Sequence, residues 1–186
     1  MKLIELIENL DAQIFGDTDI EIDEIVYDSR KVKAGCAFVC LKGENADGHD
    51  YVNIAERNGA KVIISEKKVE TKLTQIVCKS TRKALSILFS NYYSNPQKDL
   101  KMIAITGTNG KTTSSFLIKN ILEESGKKVG LIGTQGAFIG KQFFETGMTT
   151  PDPEILFKLL FEMRESGVEY VVMEASAHAL ELEKLE

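Results

Sequence analysis

The chain has 186 residues, of which 43% are hydrophobic and 27% charged, a balance typical of a globular protein with one large domain or two small ones. Its net charge of −5, without a basic stripe interleaved with aromatic residues, excludes nucleic acid as an expected partner. No stretch of about 18 apolar residues is long enough to span a membrane. The first residues also lack a secretory core, so we expect a cytoplasmic protein without a membrane partner.

The first half of the chain alternates short apolar runs with turn residues, and this predicts a small mixed α/β domain. The chain begins with a predicted helix that has Leu3, Ile4, Leu6, Ile7 and Leu10 on one face, followed by a strand through Ile20, Ile22 and either Ile25 or Val26. A turn at Gly35, a strand over residues 37–41 and a polar loop over 43–49 come next. The pattern then predicts a helix capped by Asp50 and closed by Gly59, strands within 61–66 and 74–79, and a helix over 81–93. Residues 94–97 then break the pattern, and we place a domain boundary there.

The second half alternates strands with helices, which predicts a doubly wound parallel sheet. The pattern predicts a buried parallel strand over 102–105 and then a helix with apolar residues at Phe116, Leu117, Ile118, Ile121 and Leu122. A buried strand within 127–134 and a hairpin turning at 139–141 follow. The last predicted elements are a helix from 149–153 to about 166, a strand over 168–174 and the start of a final helix. We therefore expect domains at 1–95 and 96–186. Because only about three central strands are present, we expect the second domain to be truncated.

Three cysteines, Cys36, Cys40 and Cys78, cannot all pair with one another, and none has metal-ligand spacing to a histidine. We expect all three to be small buried hydrophobic residues in a reducing compartment.

A glycine-bearing loop with the sequence Gly107, Thr108, Asn109, Gly110, Lys111, Thr112 and Thr113 joins the strand over 102–105 to the next helix. Strand, loop, lysine, hydroxyl and helix form the order of a phosphate cradle, in which backbone N–H groups and the helix N-terminus face the anion. The lysine would reach the β- and γ-phosphates, and Thr112 would ligate Mg2+. The general phosphate-loop pattern has a further glycine where this chain has Ile105, so only the structural context matches.

Several polar residues near strand ends are further candidates for chemistry. Glu174 closes a strand next to the phosphate-loop strand, where an Mg2+ ligand is expected. Thr149 and Thr150 stand where a hairpin meets a helix N-terminus, which suits either an anionic or carbonyl-bearing ligand or simple helix capping. We interpret His178 as a structural histidine with satisfied hydrogen bonds and His49 as a loop-capping residue. The loop alone is compatible with a kinase, a hydrolase used as a switch or an ATP-driven ligase.

The chain resembles the Mur ligases in five segments: YDSRKVKAGCAFVCLKG, DGHDY, AITGTNGKTT, TTPDP and MEASAHAL. The last two favour the MurE type, which adds the third residue of the peptidoglycan stem peptide to UDP-N-acetylmuramoyl-L-alanyl-D-glutamate, over the MurF type. The resemblance implies a small UDP-substrate domain followed by the first part of a phosphate-loop ATP-binding domain. It also implies ATP and Mg2+ as cofactors and a monomer.

The resemblance further implies roles for individual residues. The phosphate loop would bind ATP, and Thr112 and Glu174 would hold Mg2+, with Lys111 and Glu174 acting in catalysis. The UDP part of the substrate would contact Tyr27, Ser29, Glu44, Asn45 and Ala46, and the muramyl-peptide would contact Thr149, Thr150, Ser176 and Lys184. The chain departs from the family at Lys184, where arginine is usual, at Ala177, where a second serine is usual, and at Met148, where many members have asparagine.

The implied reaction has two steps: ATP phosphorylates the glutamate carboxylate to an acyl phosphate, and the amine of a diamino acid, meso-diaminopimelate or L-lysine, then displaces phosphate. In the family, a third domain binds that amino acid and closes over ATP, so we expect this chain alone not to ligate. A MurF-type or other amide ligase and a short, non-catalytic nucleotide-binding module remain the alternatives.

Overall fold

The structure is a computed structural model that describes residues 1–43 and 46–185. It divides into two compact units, Met1–Tyr92 and Tyr93–Glu186, each with its own sheet. Both units are of the α/β class, as the sequence predicts. Among the described residues, no helix combines the length and apolarity needed to cross a membrane.

The first unit is a five-stranded sheet in the order β1-β5-β4-β3-β2, in which β2 to β5 are parallel and β1 is antiparallel to β5. All four residues of β4 are buried, which is why that segment is a continuous apolar run in the sequence. The elements are α1 (Leu3–Leu6), β1 (Ala12–Phe15), β2 (Ile25–Val26), β3 (Ala37–Val39), α2 (Val52–Arg57), β4 (Val62–Ser65), β5 (Thr74–Cys78) and α3 (Thr81–Tyr92).

Several details of the first unit differ from the sequence predictions. Helix α1 covers Leu3–Leu6 and does not reach Leu10, and of the strand predicted through Ile20, Ile22 and either Ile25 or Val26, only Ile25–Val26 forms. Strand β1 was not predicted, because its AQIF sequence shows no alternation: Ala12 and Phe15 are half-buried, while Gln13 and Ile14 are exposed at the edge of the sheet. Asp50 does not cap a helix. Instead, the Asp47 side chain accepts from the backbone N–H of His49 and begins a 3-10 turn over Gly48–Tyr51 that leads into α2.

His49, which we predicted to cap this loop, forms hydrogen bonds through both nitrogens of its ring. Its side chain is 5% exposed, and its Nδ1 lies 2.5 Å from Oδ1 of Asp47. The Nε2 atom accepts a hydrogen bond from the backbone N–H of Glu66 at 3.0 Å, so in the neutral ring the proton lies on Nδ1. The ring thereby connects the polar loop to the end of β4. The three cysteines are buried and free, also as predicted, and burial raises the pKa of Cys40 to about 12 and that of Cys78 to about 11.

The second unit has a sheet in the order β6-β10-β7-β8-β9, in which β10 is parallel to both β6 and β7 and the other pairs are antiparallel. Gly167, with φ of +73°, follows the helix before β10 and ends it, as predicted. The elements are β6 (Lys101–Ile105), α4 (Lys111–Glu124), β7 (Val129–Gly133), β8 (Gly136–Ile139), β9 (Gln142–Phe144), α5 (Pro153–Glu165), β10 (Tyr170–Glu174) and α6 (Ala177–Glu181).

Burial in the second unit departs from the sequence predictions at β6 and α4. Strand β6 is parallel, as predicted, but it lies at the edge of the sheet and is not buried, and Met102 is 36% exposed. Helix α4 forms, yet Leu117 and Ile121 are 57% and 65% exposed, and only Ser115 of this helix is buried. Periodicity locates an amphipathic helix but does not show whether its apolar face is covered within the described chain.

Candidate nucleotide and metal site

The phosphate-loop segment connects the end of β6 to the start of α4. Gly107 and Gly110 have φ of +143° and +79°, a region that a side chain disfavours, so the loop needs glycine at both places. Gly110 is the N-cap residue of α4, and within the described part of the chain the helix start has no side-chain capping bond. The first N–H groups of α4 therefore lack side-chain acceptors, and together with the helix dipole they favour an anion.

The Lys111 side chain folds back across this loop. Its Nζ atom donates to the carbonyl oxygen of Gly107 at 2.7 Å. The ammonium group is thus positioned at the loop itself, with two of its three protons left over for another acceptor. This position suits a lysine that binds a phosphate group held by the loop N–H groups.

Glu174, at the end of β10, is the buried carboxylate of the site. Strand register places it opposite Ile105 of β6, and its predecessor pairs with Ile132 of β7, so its side chain reaches the loops that follow both neighbouring strands. Its Oε2 atom accepts from Oγ1 of Thr112 at 3.1 Å. The residue is 0% exposed, and none of the ion pairs among the described residues involves it.

The donor set around Glu174 fits a magnesium ion that is completed by phosphate. Removing a carboxylate from water is costly unless a cation accompanies it, and here its protein partners are hydroxyl and N–H groups. Mg2+ prefers oxygen ligands and is usually held by one or two carboxylates together with substrate phosphates. Over the described residues, no cluster of three or more His, Cys, Asp or Glu residues offers a complete cage. Thr112 and Glu174 therefore form a partial site beside the phosphate loop.

Thr150 and Ser176 form a small hydrogen-bonded cluster against β10. Oγ1 of Thr150 donates to the carbonyl oxygen of Glu174 at 2.8 Å and accepts from the backbone N–H of Ser176 at 3.0 Å. Oγ of Ser176 in turn accepts from the N–H of Ala179 and caps α6. Thr150 is 3% exposed, so both hydroxyls hold the segment in place next to Glu174. Thr150 does not cap α5: Asp152 is the N-cap residue, without a side-chain capping bond, and Pro153 occupies the first turn.

Lys184 is 8% exposed and has an internal partner. Its Nζ lies 2.8 Å from Oδ1 of Asp152 and 3.9 Å from Sδ of Met148. Two of the three departures from the family pattern, Lys184 and Met148, are therefore in contact. His178 is exposed on the first turn of α6, and its ring has no hydrogen-bond partner among the described residues, so the prediction of a satisfied structural histidine is wrong.

Three further predicted binding residues lie in the first unit, around a cavity of about 550 Å³. Tyr27, Ser29 and Ala46 line it, while Glu44 and Asn45 lie outside the described residues. Arg82 was not predicted as a site residue, but it lines the same cavity and donates to the carbonyl oxygen of Lys42 at 2.7 Å. In the sequence, the only indication that Arg82 could be a site residue was its position in the first turn of the helix, away from the apolar face.

A paired arginine and aspartate stand at the rim of this cavity. Both Nε and Nη2 of Arg30 donate to the Asp28 carboxylate, and the shortest contact is 2.8 Å. These side-chain hydrogen bonds, with a further one from the backbone N–H of Arg30, lower the pKa of Asp28 to about 2. The Arg30 side chain is 86% exposed, so this cationic group remains accessible to an anionic ligand.

The fold and the site together are those of a phosphate-loop protein of the Mur ligase class. Residues 105–186 match the Mur ligase middle domain, and residues 21–93 match the Mur ligase family, catalytic domain. The chain belongs to the Mur ligase family.

Within this family, the chain is similar to ligases of the MurE type. It is 47% identical to the UDP-N-acetylmuramoyl-L-alanyl-D-glutamate–2,6-diaminopimelate ligase of Clostridium botulinum and 45% identical to that of Clostridium perfringens. Both matches cover 100% of this chain and 39% of the relative, so the chain spans about two fifths of the length of these relatives.

Solved structures give the same assignment of family. One UDP-N-acetylmuramoyl-L-alanyl-D-glutamate–2,6-diaminopimelate ligase is 28% identical, with a TM-score of 0.74, over 100% of this chain and 38% of that one. The MurF ligase of Thermotoga maritima, in complex with ADP, is 27% identical, with a TM-score of 0.53, over 83% of this chain and 32% of that one.

Proposed function

We propose that this chain supplies the nucleotide-substrate and ATP-binding parts of an ATP-dependent amide ligase that adds diaminopimelate to UDP-MurNAc-L-Ala-D-Glu in the cytoplasm. Residues 1–95 would form the UDP-substrate domain, and residues 96–186 would belong to the ATP-binding domain. The observation that carries the proposal is the hydrogen bond between Thr112 and the buried Glu174 beside the phosphate loop. The names of the relatives favour diaminopimelate over lysine.

In this proposal, the loop N–H groups and Lys111 bind the β- and γ-phosphates, and Thr112 and Glu174 hold Mg2+. When bound, the ion would neutralise charge between the anionic phosphates and the anionic glutamate substrate. Thr149, which precedes Thr150 and is half-buried, would contact the muramyl-peptide. Lys184 would act there with its charge already balanced by Asp152. Transfer of the γ-phosphate from ATP to the substrate carboxylate would release ADP and give an acyl phosphate. The incoming amine would then attack the acyl carbon, form the amide bond and displace inorganic phosphate.

Titration calorimetry with Mg·ADP tests the ATP-binding part without requiring turnover. We expect Lys111→Ala to weaken binding about 10- to 100-fold, because a hydrogen bond to a charged group contributes roughly 1.5–3 kcal/mol. Lys119→Ala is the matched control, since Lys119 lies on the same helix and pairs with Glu123 at 2.6 Å. Failure of the unaltered chain to bind, or equal binding by Lys111→Ala, would contradict the proposal.

A MurF-type ligase is the second candidate, because the fold is shared with solved MurF structures. The two types differ in the length of the peptide on the acceptor: the dipeptide precursor for MurE and the tripeptide for MurF. To distinguish the two candidates, the affinities of this chain for the dipeptide and tripeptide precursors are compared. The variant Ser29→Ala, at the cavity of the first unit, is measured alongside. Preference for the tripeptide would favour the second candidate.

A further inference from the structure

Thr134 follows β7 and belongs neither to the phosphate loop nor to the predicted substrate contacts. Its backbone N–H donates to Oε1 of Glu174 at 3.2 Å, and its Oγ1 donates to Oε2 of the same carboxylate at 3.0 Å. A third contact, at 3.0 Å, joins its Oγ1 to Oγ1 of Thr149. A single residue thus touches both oxygens of the candidate metal carboxylate and a candidate substrate-binding hydroxyl.

The direction of these hydrogen bonds follows from a proton count. An ionised carboxylate only accepts, and a threonine hydroxyl has one proton to donate. Because Thr134 gives its proton to Glu174, its contact with Thr149 must be one in which Thr149 donates. The three groups then form a chain of hydrogen bonds that runs from Thr149 through Thr134 to Glu174, and the Thr149 oxygen is left as an acceptor for a ligand.

The neighbouring backbone leaves little freedom for this arrangement. A Cβ atom on Gly133, the residue before Thr134, would collide with Oε1 of Glu174, so the carboxylate lies directly against the β7 backbone. The register that pairs Ile132 with Met173 holds the two strand ends side by side. Thr134, in the short turn between β7 and β8, therefore meets Glu174 where the two adjacent parallel strands end.

We propose that Thr134 is a positioning residue that orients the Glu174 carboxylate for a divalent cation and presents the Thr149 oxygen as a hydrogen-bond acceptor to the ligand. The inference rests on the proposed function, because it assigns the cation to Thr112 and Glu174. The ligand group at Thr149 would then be a donor, such as an amide N–H or a sugar hydroxyl, and not the anionic or carbonyl group that the sequence suggests. Outer partners of metal ligands typically change metal affinity about 10- to 100-fold when they are removed.

The test compares ADP binding to the 186-residue chain by calorimetry with Mg2+ and with EDTA. In Thr134→Val, we expect the gain in affinity that Mg2+ provides to fall about 10-fold or more, while ADP binding in EDTA stays unchanged. Thr134→Ser keeps the hydroxyl and should restore the gain. Thr149→Val should have a smaller effect, because the direct bond between Thr134 and Glu174 remains.

The controls separate positioning from general damage to the fold. Thr71→Val removes a hydroxyl that donates to Glu56 at 2.6 Å in the first unit, and it should leave the Mg2+ effect intact. If Thr134→Val does not fold, as judged by circular dichroism, Thr134→Ala removes the same hydroxyl. Two outcomes in the folded variant would overturn this inference alone. In the first, Mg2+ raises the affinity for ADP as much as in the unaltered chain, and in the second, the affinity for ADP falls equally with Mg2+ and with EDTA. No ADP binding by the unaltered chain would overturn the proposed function together with it.

Discussion

The two candidate binding regions are built in different ways. In the second unit, Glu174 is fully buried, and the polar groups around it are already hydrogen-bonded to one another at the ends of parallel strands. In the first unit, the cavity draws its lining from separate turns and a helix, and its most prominent cation, Arg30, is largely exposed. The site in the second unit is therefore preformed, and we expect substitutions within it to have large effects on binding or stability. The cavity in the first unit has accessible groups, and we expect single substitutions there to have smaller effects.

The largest effect is expected from Gly133→Ala, which tests how tightly the preformed site is built. The added methyl group would collide with the Glu174 carboxylate, so we expect a loss of about 1–3 kcal/mol in the free energy of unfolding together with loss of Mg2+-dependent ADP binding. Urea denaturation and calorimetry measure the two effects. Gly130→Ala in the same strand is the control: there the methyl would meet the flexible Met163 side chain at 2.5 Å, so stability should fall while nucleotide binding persists. Unchanged binding in Gly133→Ala would show that the site is not tight.

Glu174→Gln separates binding from stability at the same position. The buried carboxylate has no cationic partner among the described ion pairs, so a neutral side chain of the same shape should leave the protein as stable or more stable. Mg2+-dependent ADP binding should nevertheless fall about 10- to 100-fold, the range seen when metal sites lose a supporting group. Thermal unfolding measures the change in stability, and calorimetry on the same sample measures the change in Mg2+-dependent ADP binding. A less stable protein that still responds fully to Mg2+ would contradict the assignment of Glu174.

Asp152→Asn tests the ion pair of Lys184, a buried cation near this site. Lys184 would lose its ion-pair partner while remaining 8% exposed, and we expect a loss of about 1 kcal/mol in the free energy of unfolding, since Asp152 itself is partly exposed. Lys184→Met removes the charge next to Met148 and should cost less than Asp152→Asn. If Asp152→Asn leaves the free energy of unfolding unchanged in urea denaturation, the ion pair between Lys184 and Asp152 does not stabilise the protein.

Arg30→Met in the first unit should have the smallest effect on stability, because the pair is at the surface. The pKa of Asp28 should rise from about 2 toward its ordinary value of 3.8, although the backbone N–H bond to Asp28 would keep part of the shift. Since the folded-state pKa is lowered, the stabilisation by this pair is present above the ordinary pKa and is lost as the pH falls toward 2. NMR titration of the Asp28 carboxyl measures the change, with Lys31→Met as the neighbouring control. An unchanged pKa would show that Arg30 is not its main cause.

The success of the sequence predictions follows the same division between the two regions. The phosphate loop is contiguous, so its glycines, lysine and hydroxyl could be recognised in order, and Glu174 could be placed because parallel strands end at the same edge of a sheet. The cavity of the first unit is assembled from distant segments, so Arg82 was missed. Strand β1 was missed because an edge strand with a weak pattern carries little signal.

The amino-acid sequence alone determined the α/β class, the phosphate loop and the strand that carries Glu174, because these depend on local periodicity and on glycine at positions of positive φ. Only the tertiary structure decided which groups meet at the site. Thr134 contacts Glu174 across 40 residues of chain and Lys184 reaches Asp152, and neither contact leaves a local pattern. The physical reason is that such hydrogen bonds and ion pairs depend on strand register and helix placement, which are set by packing of the whole unit.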